Sequence, residues 1–419
     1  MIGYVIAIGD ELTSGQRLDT NSQWISRRLG ELGVAVEYHV TTADSIEACR
    51  CVFADAIKRA DIVVASGGLG PTADDLTRDA IAAATGVQLV RDEEVLAWLR
   101  ALFARRGRMM PERNVVQADF PAGSRPIPNP HGTAPGILME IARPEREPCR
   151  LFALPGVPAE LFPMWENTVV PAIVGLGGER QVIRHRRIKC FGAGESDLEQ
   201  MLPDLIRRDR LPLVGITVHD ATITLRITAA GPTPEACYEA MEPTVATIRD
   251  CLGTLVFGEE DDELEHAVTR LLAEREQTLA VIEWGTDGLM SVWLATLPQR
   301  EHTFAGAMIV PSALALSQMF DLPLDWIDAQ GHTGAVVAER MAELVRQRFG
   351  ADYGLAISEA PAEAVNSADA HFHAALATAD GVSTRQLRCA GHPSLLKPRA
   401  AKQALNLLRL TLLAEPRNP

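Results

Sequence analysis

Short apolar runs alternate with amphipathic stretches over about the first 170 residues. The run IGYVIAI at residues 2–8 is apolar and rich in β-branched residues, which favours a strand. A cap at Asp19 or Thr20 then precedes apolar residues at helical spacing, and Gly33 ends that helix. A strand at 34–40, a helix at 45–59 and the apolar run DIVVAS follow in the same order. This pattern is typical of βαβ units and predicts a doubly wound α/β domain with a parallel sheet covered on both faces.

The same domain continues through GILMEI at 136–141 and CRLFALPG at 149–156, both predicted as strands. A helix is expected from about Pro158, because proline suits the first turn of a helix. We therefore assign residues 1–170 to the first domain.

The pattern changes between residues 171 and 256, where we predict a small α+β middle domain. It contains the strand VIRHRRIKCFG, a helix at 195–208, a hairpin in LPLVGITVHDATITLRITAAG and a helix at 234–250. The acidic run FGEEDDELEHAV marks the next boundary. Residues 257–419 form the predicted carboxyl-terminal α/β domain, with helices at 264–276, 334–349 and 400–413.

Composition limits the classes of function. A chain of 419 residues is too long for one core, which agrees with two or three domains. It has no apolar run of the ~18 residues that a membrane span needs, and its start lacks a basic segment, so we expect a cytoplasmic protein that binds no membrane. A net charge of -15 argues against nucleic-acid binding, with RHRRIK at 184–189 as the one basic cluster to name. The cysteines form no CxxC pair, which argues against a disulfide framework or zinc site: Cys49, Cys51, Cys149, Cys190, Cys237, Cys251 and Cys389.

Three polar loops follow the first three predicted strands: GDELTSG, TTADS and SGGLGPTADDLTRD. Ligands of open α/β sheets bind outside the carboxyl ends of the strands. Glycines let backbone N–H groups approach a phosphate closely, and a helix expected to begin near 72–75 would add the positive end of its dipole. The predicted phosphate-binding residues of the third loop are Ser66, Gly67, Gly68, Leu69, Gly70 and Thr72.

Aspartates beside such a loop would repel a phosphate unless a cation lies between them. Carboxylates of Asp75, Asp74, Asp44 and Asp10 could hold a divalent cation (Mg, Mn or Co) that bridges to phosphate oxygens and polarises water. Alternatively, acidic residues in these loops are only helix caps and dipole partners. Neither the GxGxxG nor the GxxxxGK[ST] fingerprint is present.

Several motifs together resemble the amino-terminal domain of the CinA family, the competence/damage-inducible proteins A. They are GDELTSGQRLDTNS, SGGLGPTADDLTRD, ERNVVQADFPAG, NPHGTAPG and LPGVPAEL, and the resemblance continues through FGAGESDLEQML and ITLRITAAG. That domain is similar to the molybdopterin-binding fold. The resemblance implies metal-dependent hydrolysis of ADP-ribose at its pyrophosphate, with Asp75 and Asp44 at positions that matter for activity.

The same resemblance implies further site residues. Molybdopterin-binding relatives have threonine where this chain has Leu69, which makes adenylyl transfer to molybdopterin the weaker interpretation. The segment HGTAPG would supply further backbone amides, with Gly132 and Thr133 as binding residues. His131 could assist proton transfer, although a loop histidine is more often only solvated.

The carboxyl-terminal domain resembles the nicotinamide mononucleotide deamidase of the family but departs from its motifs. Trp284 of IEWGTDG stands where the family has its serine nucleophile, and an indole cannot attack an amide. Val310 and Ala315 stand where the family has tyrosine and lysine, and SEAPAE at 358–363 replaces a glycine-rich element. Thr286, Ser291 and Ser312 are other hydroxyls nearby, and His371 with His373 could suggest a base or metal pair, though solvated histidines are the better interpretation. We expect a retained fold without deamidase activity and with a packing or dimerisation role in a homodimer.

The leading hypothesis is an enzyme in which water attacks a nucleotide diphosphate laid across the 67–70 loop. Asp75 is the expected main metal ligand, and Asp44 and Asp10 complete the metal shell or orient the water. The alternatives are a regulatory protein that binds a nucleotide without turnover and a protein that handles molybdopterin.

Overall fold

The computed structural model describes residues 1–144, 146–177, 182–207, 210–361, 371–388 and 393–415. The chain forms two compact units, the first from residues 1–184 and 229–239 and the second from residues 185–228 and 240–419. Within the described residues, no helix is both long and apolar enough to cross a membrane. The described cysteines are free thiols, and Cys389 lies outside the described residues.

A six-stranded sheet organises the first unit, with the strand order β2-β1-β3-β8-β7-β6. Strands β2, β1, β3 and β8 run parallel, and β7 and β6 join antiparallel at one side. A separate antiparallel pair joins β4 to β5. The strands are β1 (Ile2–Ile8), β2 (Ala35–Thr42), β3 (Ile62–Ser66), β4 (Leu89–Arg91), β5 (Asp119–Pro121), β6 (Arg125–Ile127), β7 (Gly136–Arg143) and β8 (Arg146–Leu154). The predicted doubly wound α/β fold is confirmed.

Helices cover both faces of this sheet. They are α1 (Asp10–Thr13), α2 (Thr20–Glu31), α3 (Ile46–Arg59), α4 (Thr77–Thr85), α5 (Glu93–Arg105), the 3₁₀ helix Glu112–Ala118, α6 (Pro158–Met164), the π-helical turn Trp165–Val169 and α7 (Val170–Val174). Asp19 and Ser45 cap α2 and α3 by accepting hydrogen bonds from the backbone N–H groups of Ser22 and Ala48. Because such caps depend on local sequence, both helix starts were predictable.

Strand β1 shows why the sheet is covered on both faces. Tyr4, Ile6 and Ile8 pack into one core, whereas Val5 packs into the core on the opposite face. Successive side chains of a strand point to opposite faces, so an uninterrupted apolar strand requires helices on both sides.

One predicted helix start is wrong. Helix α4 begins at Thr77, not near residues 72–75. The side chain of Asp75 accepts a hydrogen bond from the backbone N–H of Thr72 at 2.8 Å, and this turn ends before the helix begins. Asp75 therefore lies in the loop and not in the first turn of α4.

The second unit contains a four-stranded sheet of order β10-β11-β9-β12, followed in sequence by a five-stranded sheet of order β14-β13-β15-β16-β17. In the second sheet β14, β13 and β15 are parallel, and β16 and β17 are antiparallel. The strands are β9 (Val182–Cys190), β10 (Leu213–His219), β11 (Thr222–Gly231), β12 (Val256–Glu259), β13 (Leu279–Glu283), β14 (Phe304–Ile309), β15 (Tyr353–Ile357), β16 (His371–Ala377) and β17 (Val382–Arg388).

The remaining helices include long segments that the periodicity predicted. They are α8 (Glu195–Met201), α9 (Pro234–Leu252), the 3₁₀ turn Gly253–Leu255, α10 (Leu264–Glu274), α11 (Leu289–Ala295), α12 (Arg300–Thr303), α13 (Ala313–Phe320), α14 (Leu324–Gln330), α15 (Ala335–Phe349) and α16 (Pro393–Ala414).

Three predicted bounds in this part of the chain differ from the structure. Helix α8 ends at Met201 instead of 208, because Pro203 disfavours a helical conformation at the residue before it. Helix α16 begins at Pro393 instead of 400. Strand β12 pairs with β9, so residues 257–259, assigned from sequence to the third domain, belong to the sheet of the middle domain.

The basic cluster at 184–189 lies on β9, and several of its side chains are paired with carboxylates. Arg186 contacts Glu259 at 2.8 Å, Arg187 contacts Glu260 at 3.1 Å, and Lys189 contacts Glu263 at 3.3 Å. These contacts neutralise much of the positive charge that the sequence places there.

Candidate functional site

The ends of four parallel strands meet at one edge of the first sheet. Ile8 of β1 pairs with Thr42 of β2, Ala7 of β1 pairs with Ser66 of β3, and Ser66 pairs with Leu154 of β8. The loops that follow these strands therefore begin at the same edge. Three of them are the loops that the sequence singled out, and the fourth follows β8.

A cavity of about 410 Å³ opens at this edge. Its walls include the glycine-rich loop after β3, carboxylates from several loops, and residues that follow β6 and β8. Its lining residues include Glu11, Arg17, Asp19, Asp44, Ser66, Gly67, Gly68, Leu69, Gly70, Asp74, Asp75, Gln117, Thr133 and Glu160. Of the predicted site residues, Asp10, Thr72 and Gly132 do not line it.

Glycines of the loop after β3 occupy positions where a side chain would be strained or crowded. Gly67 and Gly68 have positive φ values of 111° and 63°. A Cβ at Gly67 would overlap the carbonyl oxygen of Ile8, and one at Gly70 would overlap the carboxylate of Asp75. The hydroxyl of Thr77 donates to the carbonyl oxygen of Gly67 at 2.8 Å and holds the loop from behind. The glycines thus let the loop lie directly against β1.

Arg78 lies beneath this loop and is only 3% exposed. Its guanidinium donates to the carbonyl oxygens of Leu69 at 2.6 Å and Gly70 at 3.3 Å. Burial lowers the pKa of Arg78 to about 10, so the group stays charged at neutral pH. The buried cation turns these two carbonyl oxygens toward itself and places a positive charge behind the cavity wall, which favours an anionic ligand. Leu69 is 1% exposed and packs its side chain into the core, so only its backbone is available to a ligand.

The aspartates occupy two positions around the cavity. Asp10 and Asp44 bridge two loops, since the N–H of Asp10 donates to Asp44 at 2.9 Å and the N–H of Asp44 donates to Asp10 at 3.0 Å. Burial raises the pKa of Asp44, and the negative charges of Asp10, Glu11 and Asp74 add to that rise. Asp74 and Asp75 follow the glycine-rich loop. Asp10 is therefore a positioning residue for Asp44 and does not itself face the cavity.

These oxygens suit a hard cation only together with a ligand. Within the described ranges, no three His, Cys, Asp or Glu side chains lie close enough to hold a metal ion by themselves. Asp44, Asp74 and Asp75 nevertheless line one cavity. Mg²⁺ is commonly held by one or two carboxylates plus the phosphates of a substrate, so the donor set fits this mode of binding.

The segment after β6 departs from the prediction that it supplies free backbone amides. The N–H groups of His131 and Gly132 both donate to the side-chain oxygen of Asn129, at 3.0 and 2.8 Å. Asn129 in turn donates to Glu160 at 2.6 Å. The amide of Gly132 is therefore used inside the loop, and Thr133 alone of the predicted pair lines the cavity. His131 is exposed and does not line it.

Glu160 and Gln117 are among the cavity residues that were not predicted from the sequence. Glu160 lies in the first turn of α6, where a carboxylate is usually interpreted as a partner of the helix dipole. In the structure, a hydrogen bond from Asn129 holds this carboxylate. Gln117 lies within ERNVVQADFPAG, a motif quoted only for its resemblance. No local sequence pattern indicates that either side chain lines the cavity.

In the carboxyl-terminal domain, Trp284 directly follows β13 and its side chain is buried. This indole is 5% exposed and stacks on the His332 ring at 5.1 Å between centroids. His332 also contacts Asp328 at 2.7 Å and Glu359 at 3.0 Å. Val310 is buried, and Ala315 lies on α13. Residues 362 and 363 of the replaced glycine-rich element lie outside the described residues.

The alternative hydroxyls of this domain have structural partners. Glu283, fully buried, accepts from the hydroxyl of Thr286 at 2.7 Å and from that of Ser291 at 2.6 Å. Ser312 caps α13. His373 was expected to be solvated, but it is half-buried and lies 2.8 Å from the carbonyl oxygen of Thr333.

Comparisons with known proteins agree with this layout. Family models match residues 4–174 as "Probable molybdopterin binding domain", residues 185–258 as "Damage-inducible protein CinA KH domain" and residues 261–412 as "CinA C-terminal domain". A CinA-like protein of Frankia casuarinae is 35% identical over 424 residues, which cover 98% of this chain and 96% of that one. The chain belongs to the CinA family.

Other CinA proteins match parts of the chain. The CinA-like protein of Dictyoglomus thermophilum is 36% identical over 351 residues, covering 84% of both chains. A solved CinA protein of unknown function from Thermoplasma acidophilum is 33% identical, covers 41% of this chain and 97% of its own, and has a TM-score of 0.37.

Proposed function

We propose that the amino-terminal domain hydrolyses a nucleotide diphosphate such as ADP-ribose at its pyrophosphate, with a divalent cation as cofactor. The observation that carries the proposal is one cavity lined both by the glycine-rich loop and by Asp44, Asp74 and Asp75. Glycine backbone suits phosphate oxygens, and carboxylates suit a cation that phosphates also bind.

The roles of the residues follow from their positions. The loop at 67–70 would hold the diphosphate, with Arg78 supplying positive charge from behind. Asp75 and Asp74 would hold the cation, which when bound neutralises phosphate charge and favours ionisation of water. Asp44 would orient the attacking water and accept its proton, consistent with its raised pKa, and Asp10 would fix Asp44.

The proposed reaction is a displacement at phosphorus. The oxygen of water bonds to one phosphorus, and the bond from that phosphorus to the bridging oxygen breaks. The bridging oxygen leaves with the other phosphate, so that ADP-ribose and water give AMP and ribose 5-phosphate. The proton of the water passes to Asp44 and then to solvent. Positioning and electrostatic stabilisation would supply most of the rate, as in other phosphoryl transfers.

We expect the purified protein to release AMP from ADP-ribose in the presence of Mg²⁺, Mn²⁺ or Co²⁺, and Asp75→Asn to lower that rate at least 100-fold, an effect on the order of ~3 kcal/mol of transition-state stabilisation. Chromatographic detection of AMP is the measurement. Asp79→Asn is the matched control, because Asp79 is an exposed aspartate of α4 that does not line the cavity. Absence of AMP from the wild-type protein with all three cations would refute the proposal.

We also propose that the carboxyl-terminal domain has no nicotinamide mononucleotide deamidase activity. A buried Trp284 stacked on His332 occupies the nucleophile position, and the nearby Thr286 and Ser291 hydroxyls are engaged by the buried Glu283. This arrangement supports a domain that retains the fold of the family without the deamidase activity.

A further inference from the structure

Gln117 carries a hydrogen-bond donor that no described residue accepts. The residue lies in the 3₁₀ helix Glu112–Ala118 and has no exposed surface. Its side-chain oxygen accepts a hydrogen bond from the side-chain amide of Asn114 at 2.9 Å. Its side-chain nitrogen, Nε2, is buried and has no hydrogen-bond partner among the described residues. Asn114 therefore holds the oxygen side of the Gln117 amide and leaves the Nε2 side without a partner among the described residues.

Such a group needs an explanation. Buried polar side-chain atoms in native proteins nearly always have a partner, and each exception calls for an explanation, such as a functional role or a bound water or ion. Gln117 lines the same cavity as the glycine-rich loop and the carboxylates of Asp74 and Asp75. The residue that carries the unused donor thus belongs to the wall of this cavity.

The charges around the cavity indicate which ligand atom this donor meets. Carboxylates of Glu11, Asp19, Asp44, Asp74, Asp75 and Glu160 line it, while Arg17 is the one cationic side chain among its described lining residues. A phosphate in such surroundings needs neutral N–H donors beside any cation it brings. A side-chain amide supplies two N–H donors and adds no charge.

We propose that Gln117 is a substrate-binding residue whose Nε2 donates to a phosphate oxygen of the bound nucleotide diphosphate. This inference rests on the proposed function, since it assigns a further contact to the same site. The segment ERNVVQADFPAG thereby has a role: Asn114 orients Gln117, and Gln117 contacts the ligand. Asn114 is accordingly a positioning residue.

The test compares Gln117→Met and Gln117→Glu with Gln88→Met, whose exposed glutamine does not line the cavity. Titration calorimetry of the full chain with Mg²⁺ measures affinity for two probes, inorganic pyrophosphate and ADP-ribose, the latter as its non-hydrolysable α,β-methylene analogue so that no turnover occurs. We expect Gln117→Met to bind both probes about tenfold more weakly, the size of effect typical for a hydrogen bond to a charged group. Gln117→Glu should bind at least as weakly, because its carboxylate would face the phosphate. Gln88→Met should bind as the wild type does.

Thermal melting measures the structural cost of each substitution. Gln117→Met removes the unpaired donor but also the oxygen that accepts from the buried amide of Asn114, so its melting temperature should fall by a few degrees, and affinities are compared at a temperature where every variant is folded. If Gln117→Met does not fold, Gln117→Glu gives the affinity reading, since it keeps the oxygen that Asn114 contacts.

The outcomes distinguish this inference from the proposed function. If the wild type releases AMP and both variants bind the two probes like Gln88→Met, the role of Gln117 is refuted and the hydrolase stands. If affinity falls for ADP-ribose but not for pyrophosphate, the assignment to a phosphate oxygen is refuted. If the wild type binds neither probe and forms no AMP, both proposals fail.

Discussion

Replacing Gly67 by alanine tests the phosphate loop most directly. At a φ of 111° a residue with a Cβ is strained, and the added carbon would overlap the carbonyl oxygen of Ile8. That carbonyl belongs to the central strand β1 and cannot turn aside like the end of a flexible side chain. Gly67 is also held in place, since its N–H donates to the carbonyl oxygen of Leu154 at 3.0 Å.

Gly86 offers a matched control in the same unit. Its φ is 72°, it ends α4, and a Cβ there would meet no atom within 4 Å. Gly86→Ala therefore costs about 1–2 kcal/mol of left-handed backbone strain, reduced by about 0.4–1 kcal/mol because alanine restricts the unfolded chain. We expect a net loss of about 1 kcal/mol. Gly67→Ala adds a backbone overlap and should cost about 3 kcal/mol or more.

Differential scanning calorimetry of the full chain measures the difference. For a unit of this size, about 1 kcal/mol corresponds to roughly 2–4 °C. Gly86→Ala should lower the relevant transition by that amount, and Gly67→Ala by about 6–12 °C. Gly67→Ala should also lose measurable affinity for ADP-ribose, whereas Gly86→Ala should retain it. Equal melting temperatures and equal affinities for the two variants would show that the loop does not pack against β1 as described.

Two further predictions concern the carboxyl-terminal domain. Trp284→Ser should release no ammonia from nicotinamide mononucleotide, because Val310 and Ala315 supply neither of the polar groups that the family has there; ammonia above the wild-type background would show that these two groups are not needed. The hydrogen bond with Asp328, then that with Glu359, raises the pKa of His332. A raised folded-state pKa stabilises the domain fully below about 6.5, the ordinary histidine value, and this stabilisation is lost as pH rises through the higher folded value. The pH dependence of the melting temperature over that window should therefore weaken in His332→Gln, and an unchanged profile would refute the role of His332.

Local sequence was sufficient for much of the fold. The apolar run of β1, the helical spacing after Asp19 and the serine before α3 each specify an element through interactions within a few residues. The order of these elements then predicts parallel strands whose ends share an edge, because βαβ connections allow few arrangements. The glycines of the loop after β3 were also recognisable from the sequence, because a close approach of two backbone segments usually requires glycine.

Side-chain direction at the site required the tertiary structure. Asp74 and Asp75 could be named from the sequence, yet the start of α4 moved to Thr77 because Asp75 bonds back to Thr72. Gly132 resembled a binding residue, but Asn129 takes its amide.

Gln117 and Glu160 show the general limit of predicting site residues from the sequence. They lie more than 40 residues beyond the glycine-rich loop in sequence, and each is hydrogen-bonded to an asparagine, Asn114 or Asn129. The sequence by itself determined which segments become strands and helices, because periodicity and caps act over a few residues. Only the tertiary structure decided which polar side chains meet, because packing between distant segments sets the direction in which each side chain points.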